Sequence, residues 1–114
     1  MIIQATEKPK GYFTKLPDHY LWFDLFDEHG TYAYVGIEII DIWASFHTHI
    51  IRWSHCIAKS LKLDWEELVF LCKEKGVKIA VASNEDMNDT RWPKFIKLFG
   101  FPEPQTVLIS KQEL

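Results

Sequence analysis

The chain has 114 residues, 47% of them hydrophobic and 15% aromatic, with a formal net charge of −3. That length supports one domain with a single core, and the mild acidity gives no general pull toward nucleic acid. No run of about 18 apolar residues suggests a membrane span, and "MIIQATEKPKGYF" lacks the apolar stretch of a signal peptide.

A short strand is expected around Ile2 to Ala5, followed by a loop punctuated by Pro9, Gly11 and Pro17. In "HYLWFDLFDEHG", Leu21, Phe23 and Leu25 alternate with Tyr20, Trp22 and Asp24, and "DEHG" makes a turn. The next run sets Tyr32, Tyr34, Gly36, Glu38 and Ile40 on one face and Ala33, Val35, Ile37 and Ile39 on the other. "DIWASFHTHI" is again rich in strand formers, so three short-linked strands read as an antiparallel meander. After Ile51 the period changes to that of a helix. Trp65, Leu68, Val69 and Cys72 recur at three and four, Asp64 and Glu67 suggest a capping box, and Gly76 closes the helix. The pattern leaves open whether "IRWSHCIAKSL" is an earlier helix or the start of the same one. "VKIAVAS" suits a strand buried on both faces, and "QTVLISK" suits a final strand.

Between those two strands, "DTRWPKFIKLFGF" reads as a helix. Asp89 or Thr90 can cap it, Trp92, Phe95, Ile96 and Phe99 form its apolar stripe, and Gly100 ends it. The fold class is therefore mixed, α/β or α+β: a meander followed by α-β-α-β, in a single domain over 1–114.

A strand, a turn with Asn84 and Asn88, a short helix ending in "GF" and a final strand resemble the C-terminal half of the GNAT N-acetyltransferase fold. The meander and the Asp64 to Gly76 helix also fall in GNAT order. The chain is especially similar to the small GNAT-like proteins of short-tailed bacteriophages, of the internal virion protein A type, where "NTxxxxFxKxxG" stands in the place of "DTRWPKFIKLFG". The resemblance covers residues 19 to 110 and implies a truncated GNAT-like fold, and the phage likeness implies a virion or host-cytoplasmic setting.

Three departures from the GNAT pattern bear on chemistry. Acetyl-CoA binding in this fold uses a Gln/Arg-x-x-Gly-x-Gly/Ala loop before the helix, whose amides meet the pyrophosphate. Here Arg52 matches, but His55 and Ile57 stand at the small positions, and their side chains are expected to crowd the amide nest. The family's proton-donating Tyr aligns with Ile96, which cannot transfer a proton, and Asp89 replaces the usual Asn. The helices that wall the acceptor site have almost no room before His19. These departures imply lost acetyl transfer and no cofactor. A working acetyl-CoA-dependent enzyme, using Arg52, His55 and Ala58, is the alternative, and an anti-defence inhibitor is another.

Other chemistry is weaker. His47 and His49 share a strand face and His55 follows, but no third ligand is fixed, so no metal is expected. Cys56 and Cys72 fit reduced, buried thiols, and Cys56 beside His55 is better read as a buried structural thiol than as a nucleophile. Glu38 and Asp41 offer a general base for an amine, or simply a polar strand face. The aromatic excess points to protein contacts instead. Tyr20, Trp22, Tyr32 and Tyr34 lie on adjacent strands and are expected to form one patch, either a partner-binding surface, with neither nucleic acid nor membrane as the partner, or a core face covered by the two helices.

Overall fold

A computed structural model describes residues 1–84 and 109–113. Its elements are β1 (Ile2–Ala5), β2 (Leu21–Asp27), β3 (Gly30–Ile40), β4 (Trp43–Ile50), α1 (His55–Glu74), β5 (Ile79–Asn84) and β6 (Ile109–Glu113). The six strands form one sheet in chain order, β1 through β6. Every neighbouring pair is antiparallel except β4 and β5, which α1 joins as a parallel crossover. The expected strands and meander are present. The helix expected over 89–100, with Asp89, Ile96 and Gly100, lies outside the described residues.

The meander turns follow from local chemistry. Asp27 pairs with Gly30 across Glu28–His29, and Gly30 takes a φ of 106° that its missing Cβ permits. Ile40 pairs with Trp43 across Asp41–Ile42, so Asp41, the second base candidate, is an exposed turn residue.

α1 packs one face on the sheet through Ile57, Leu61, Asp64, Trp65, Leu68 and Cys72. Trp65 meets Phe46 of β4 with ring centroids 5.0 Å apart. The helix starts ten residues earlier than the Asp64 pattern suggests, at a different cap. Ser54 has extended backbone and its hydroxyl accepts the Ile57 N–H at 3.1 Å. At the other end the Gly76 and Val77 amides donate to Lys73 and Cys72, with Gly76 at φ 88°, a Schellman closure.

Asp64 is no cap because its side chain faces inward, only 4% exposed. There it accepts from the Tyr32 hydroxyl and pairs with the Met1 ammonium at 2.8 Å. A carboxylate buried in mid-helix is tolerable only with such partners.

Tyr32 reaches Asp64 because of a β-bulge. Leu25 pairs with Ala33, but Phe26 pairs with Thr31, so Tyr32 is the extra residue on β3. Its carbonyl accepts from both Ile51 and Arg52, at 2.8 and 3.3 Å. Strict alternation predicts Tyr32 and Tyr34 on one face, and the bulge overturns it. Tyr32 turns to the α1 side and is fully buried, while Tyr34 stays on the outer face.

The outer face carries no helix between β1 and β2. Residues 6–20 instead form a loop that lays aromatics on the sheet. Tyr12 sits 4.9 Å from Tyr34 and 4.7 Å from His49, and Phe13 stacks on Trp22 at 5.7 Å. Lys8 ties the loop together by donating to the Leu16 carbonyl at 2.6 Å and pairing with Asp18 at 3.1 Å. The single aromatic patch expected from the sequence is thus divided: Trp22 is covered, Tyr32 is in the core, and Tyr20 and Tyr34 are half-buried.

Candidate functional site

Two places bear on function, one at each end of β4. The first is the start of α1. Its opening amides are the fold's natural anion site, since the helix dipole and free N–H groups both point outward there. Ser54 already occupies one of them through Ile57, and Ala58 N–H is bonded to the Ser54 carbonyl at 3.0 Å. Ile57 does not crowd this turn as expected. Its side chain is 3% exposed and part of the core, so what occupies its amide is the serine hydroxyl. In the first turn His55 is exposed and Ala58 half-buried, and Cys56, expected to be buried, is exposed because it lies on the helix face turned from the core.

Arg52 is committed elsewhere. Its guanidinium donates to Asp27 at 2.9 Å and to the Gly30 carbonyl at 3.0 Å, clamping the β2–β3 turn. That contact holds the Asp27 carboxyl below the ordinary carboxylate range. An open cleft of about 620 Å³ lies beside this helix end, lined by Asp27, Glu28, His29, Arg52, Ser54 and Asp64 among others. Met1 lines it too, and both its ammonium and the arginine are paired, with Asp64 and Asp27 respectively.

The second place is a polar cluster on the outer face. The two-residue turn that pairs Ile40 with Trp43 also sets Glu38 opposite Ser45 and Gly36 opposite His47. His19 Nε2 lies 2.5 Å from Glu38 Oε2, and Tyr20 donates to Glu38 Oε1 at 3.4 Å. His47 Nε2 lies 3.2 Å from Ser45 Oγ, and its ring packs 5.5 Å from that of Tyr20. Burial, then the Glu38 charge, pushes the Tyr20 phenol above its ordinary pKa. For Tyr34, burial and then Asp24 act in the same direction.

Chemically, the cluster offers a carboxylate, two imidazoles, a phenol and a serine hydroxyl, which is equipment for moving protons. Sequence reading named Glu38 but missed Ser45 and His19. The hairpin register could have found Ser45, whereas no sequence signal places His19 there. Among the described residues, no three His, Cys, Asp or Glu side chains gather in a way that could hold a metal ion. No described helix is long and apolar enough to cross a membrane.

No protein-family model and no curated protein matches the sequence. Solved structures do match the fold. PaiA N-acetyltransferase from Thermoplasma acidophilum, in complex with coenzyme A, aligns with a TM-score of 0.61 at 20% identity, covering 83% of this chain and 61% of that one. An N-acetyltransferase from Staphylococcus aureus Mu50 gives 0.59 at 12%, covering 83% and 68%. The ribosomal-protein-S18-alanine N-acetyltransferase from Escherichia coli gives 0.56 at 15%, covering 84% and 67%. The chain has a truncated GNAT-like fold. It spans about three fifths of the PaiA chain's length, and at these identities the likeness speaks for the GNAT-like architecture alone.

Proposed function

We propose that this GNAT-like protein has lost acetyl-CoA chemistry and acts through contacts with another protein. The observation that carries the reading is the start of α1. A site for a pyrophosphate needs free amides and unpaired positive charge. Here a serine hydroxyl takes an amide, the arginine is spent on Asp27 and the Met1 ammonium on Asp64, and Glu28 adds a further carboxylate to the same cleft. These residues do not fit a nucleotide diphosphate. The half-buried Tyr20 and Tyr34 of the outer face, with Tyr12 beside them, supply aromatic contact area of the kind found at interface cores. A virion component or a modulator of a host protein is the setting that the resemblance of "DTRWPKFIKLFG" supports.

A second reading, an acyl-CoA-dependent N-acetyltransferase, is favoured by one observation: the outer-face cluster around Glu38, which has the groups a general base requires. Thermal unfolding with and without millimolar acetyl-CoA separates the two. A ligand at about 100 times its dissociation constant adds roughly 2.7 kcal/mol of stability. An unchanged midpoint is expected, and a clear rise would favour the enzyme.

A further inference from the structure

Outside the core, α1 carries a line of residues that the described part of the fold does not use. Cys56, Leu63 and Phe70 recur every seven residues, all exposed, with Leu63 at 68% and Phe70 at 58%. A helix advances about 100° per residue, so a seven-residue step returns to within about 20° of the same line. They form one seam on the solvent side of α1, two of its members being large apolar groups left in water.

The charges beside the seam have an order. Lys59 and Lys62 flank it on one side before Leu63, and Glu66 flanks it on that same side after Leu63. This pattern is self-complementary under a two-fold axis that crosses the helix at Leu63. In that arrangement Leu63 meets its own copy, Phe70 covers the partner's Cys56, and Lys59 faces the partner's Glu66. Shifting the axis to set Leu63 on the partner's Phe70 brings Glu66 against its own copy and Lys59 against the partner's Lys73. A parallel pair aligns both helix dipoles in one sense and, because it swaps flanks, sets Glu66 beside the partner's Glu67. Opposed dipoles and the two Lys59–Glu66 pairs together favour the axis at Leu63.

From this we infer that the solvent face of α1 is a self-association surface, on which a second copy of the chain docks antiparallel about Leu63. The inference does not require the proposed loss of acetyl-CoA chemistry, although Cys56 and Leu63 also line the cleft beside the start of α1.

Disulfide trapping of the full chain under mild oxidation tests it. In the inferred pair, Cys56 lies roughly 21 Å from its own copy, at 1.5 Å of rise per residue, but directly across from Phe70 of the other chain. Phe70→Cys should therefore give covalent dimers through Cys56, while the wild type stays monomeric on non-reducing gels. Cys72 is buried and does not compete. Cys56→Ser/Leu63→Cys should also cross-link, on the axis itself, with Phe70 retained. Lys59→Glu in the Phe70→Cys background should cut dimer yield several-fold, and adding Glu66→Lys should restore it. Wild-type cross-linking through Cys56, absence of dimers in both cysteine variants while they remain folded by circular dichroism, or failure of the charge swap to rescue would each overturn the inference.

Discussion

Gly36→Ala should loosen the outer face more than a single methyl suggests. A Cβ at Gly36 would sit 2.5 Å from Trp22 Cζ3, 3.0 Å from Cε3 and 3.4 Å from Cη2. The indole cannot simply swing away. It is 2% exposed, stacked under Phe13 at 5.7 Å and beside Tyr20 at 5.5 Å, and its Nε1 donates to the Asp18 carbonyl at 3.3 Å. Overpacking of this kind costs about 1–3 kcal/mol. The contact is at the severe end, so about 2–3 kcal/mol is expected for it. Alanine's lower unfolded-state entropy offsets roughly 0.5–1 kcal/mol. The net loss should be about 2 kcal/mol, which lowers the melting midpoint by roughly 10 °C in a domain of this size. Calorimetry, with tryptophan emission as a second probe, reads both the shift and the movement of Trp22. In a Trp22→Leu background the same glycine change should be nearly neutral, since the ring it strikes is gone. A single variant within about 0.5 kcal/mol of wild type, or an equal loss in both backgrounds, would refute the packing argument.

Three further outcomes are expected. Tyr32→Phe should cost about 1–3 kcal/mol in urea unfolding, because it leaves the buried Asp64 one donor short. Burial and Asp64 raise the Tyr32 pKa above its ordinary 10.0, so the folded protein keeps a proton that the unfolded chain releases. This contribution is whole below pH 10 and fades as pH rises above it, and the variant should show a shallower alkaline decline. Ser54→Ala should lose about 1 kcal/mol and Ser54→Asp should regain most of it, as measured by denaturant midpoint; equal midpoints would deny Ser54 its capping role. Cys56 should react with a thiol reagent at once and Cys72 only on unfolding, since burial pushes the Cys72 thiol from 9.0 to about 11; two fast equivalents in the folded protein would contradict its burial.

The strands and the meander were legible in the sequence because alternation and turn chemistry are local signals. "DEHG" marks the first hairpin, whereas the Asp41–Ile42 turn carries no such signal and falls inside the run "DIWASFHTHI" read as strand. The start of α1 was not, because Asp64 and Glu67 imitate a capping box while Ser54, with no Glu three residues on, gives only half of one. What makes Asp64 internal is the Tyr32 hydroxyl and the Met1 ammonium, which come from distant parts of the chain. The aromatic patch failed for a related reason. Alternation carries no notice of a bulge, and one extra residue at Tyr32 reverses its side without disturbing Tyr34. Nor does composition say that Tyr12 and Phe13, in a stretch read only as loop, return to cover Trp22 and Tyr34.

Both candidate sites depend on β4, and that connection bears on what the protein can do. Ser45 and His47 face outward from the strand, and six residues after His47 comes Trp53, next to the capping Ser54. An acetyl transfer on this scaffold needs both ends at once, a base near the acceptor and an anchor for the donor's phosphates. The first end is furnished: Glu38 stands with His19, Tyr20, Ser45 and His47 around it. The second is filled by the protein's own groups, with Ser54 on the Ile57 amide and Arg52 on Asp27. A base without a held donor gains nothing from proximity, because the large effective concentrations of enzyme catalysis come from fixing both reactants. On the proposed reading, the same polar groups serve to orient Tyr20 on the outer face. A rigid aromatic set in a hydrogen-bonded frame loses little entropy on contact, which suits a surface that another protein recognises.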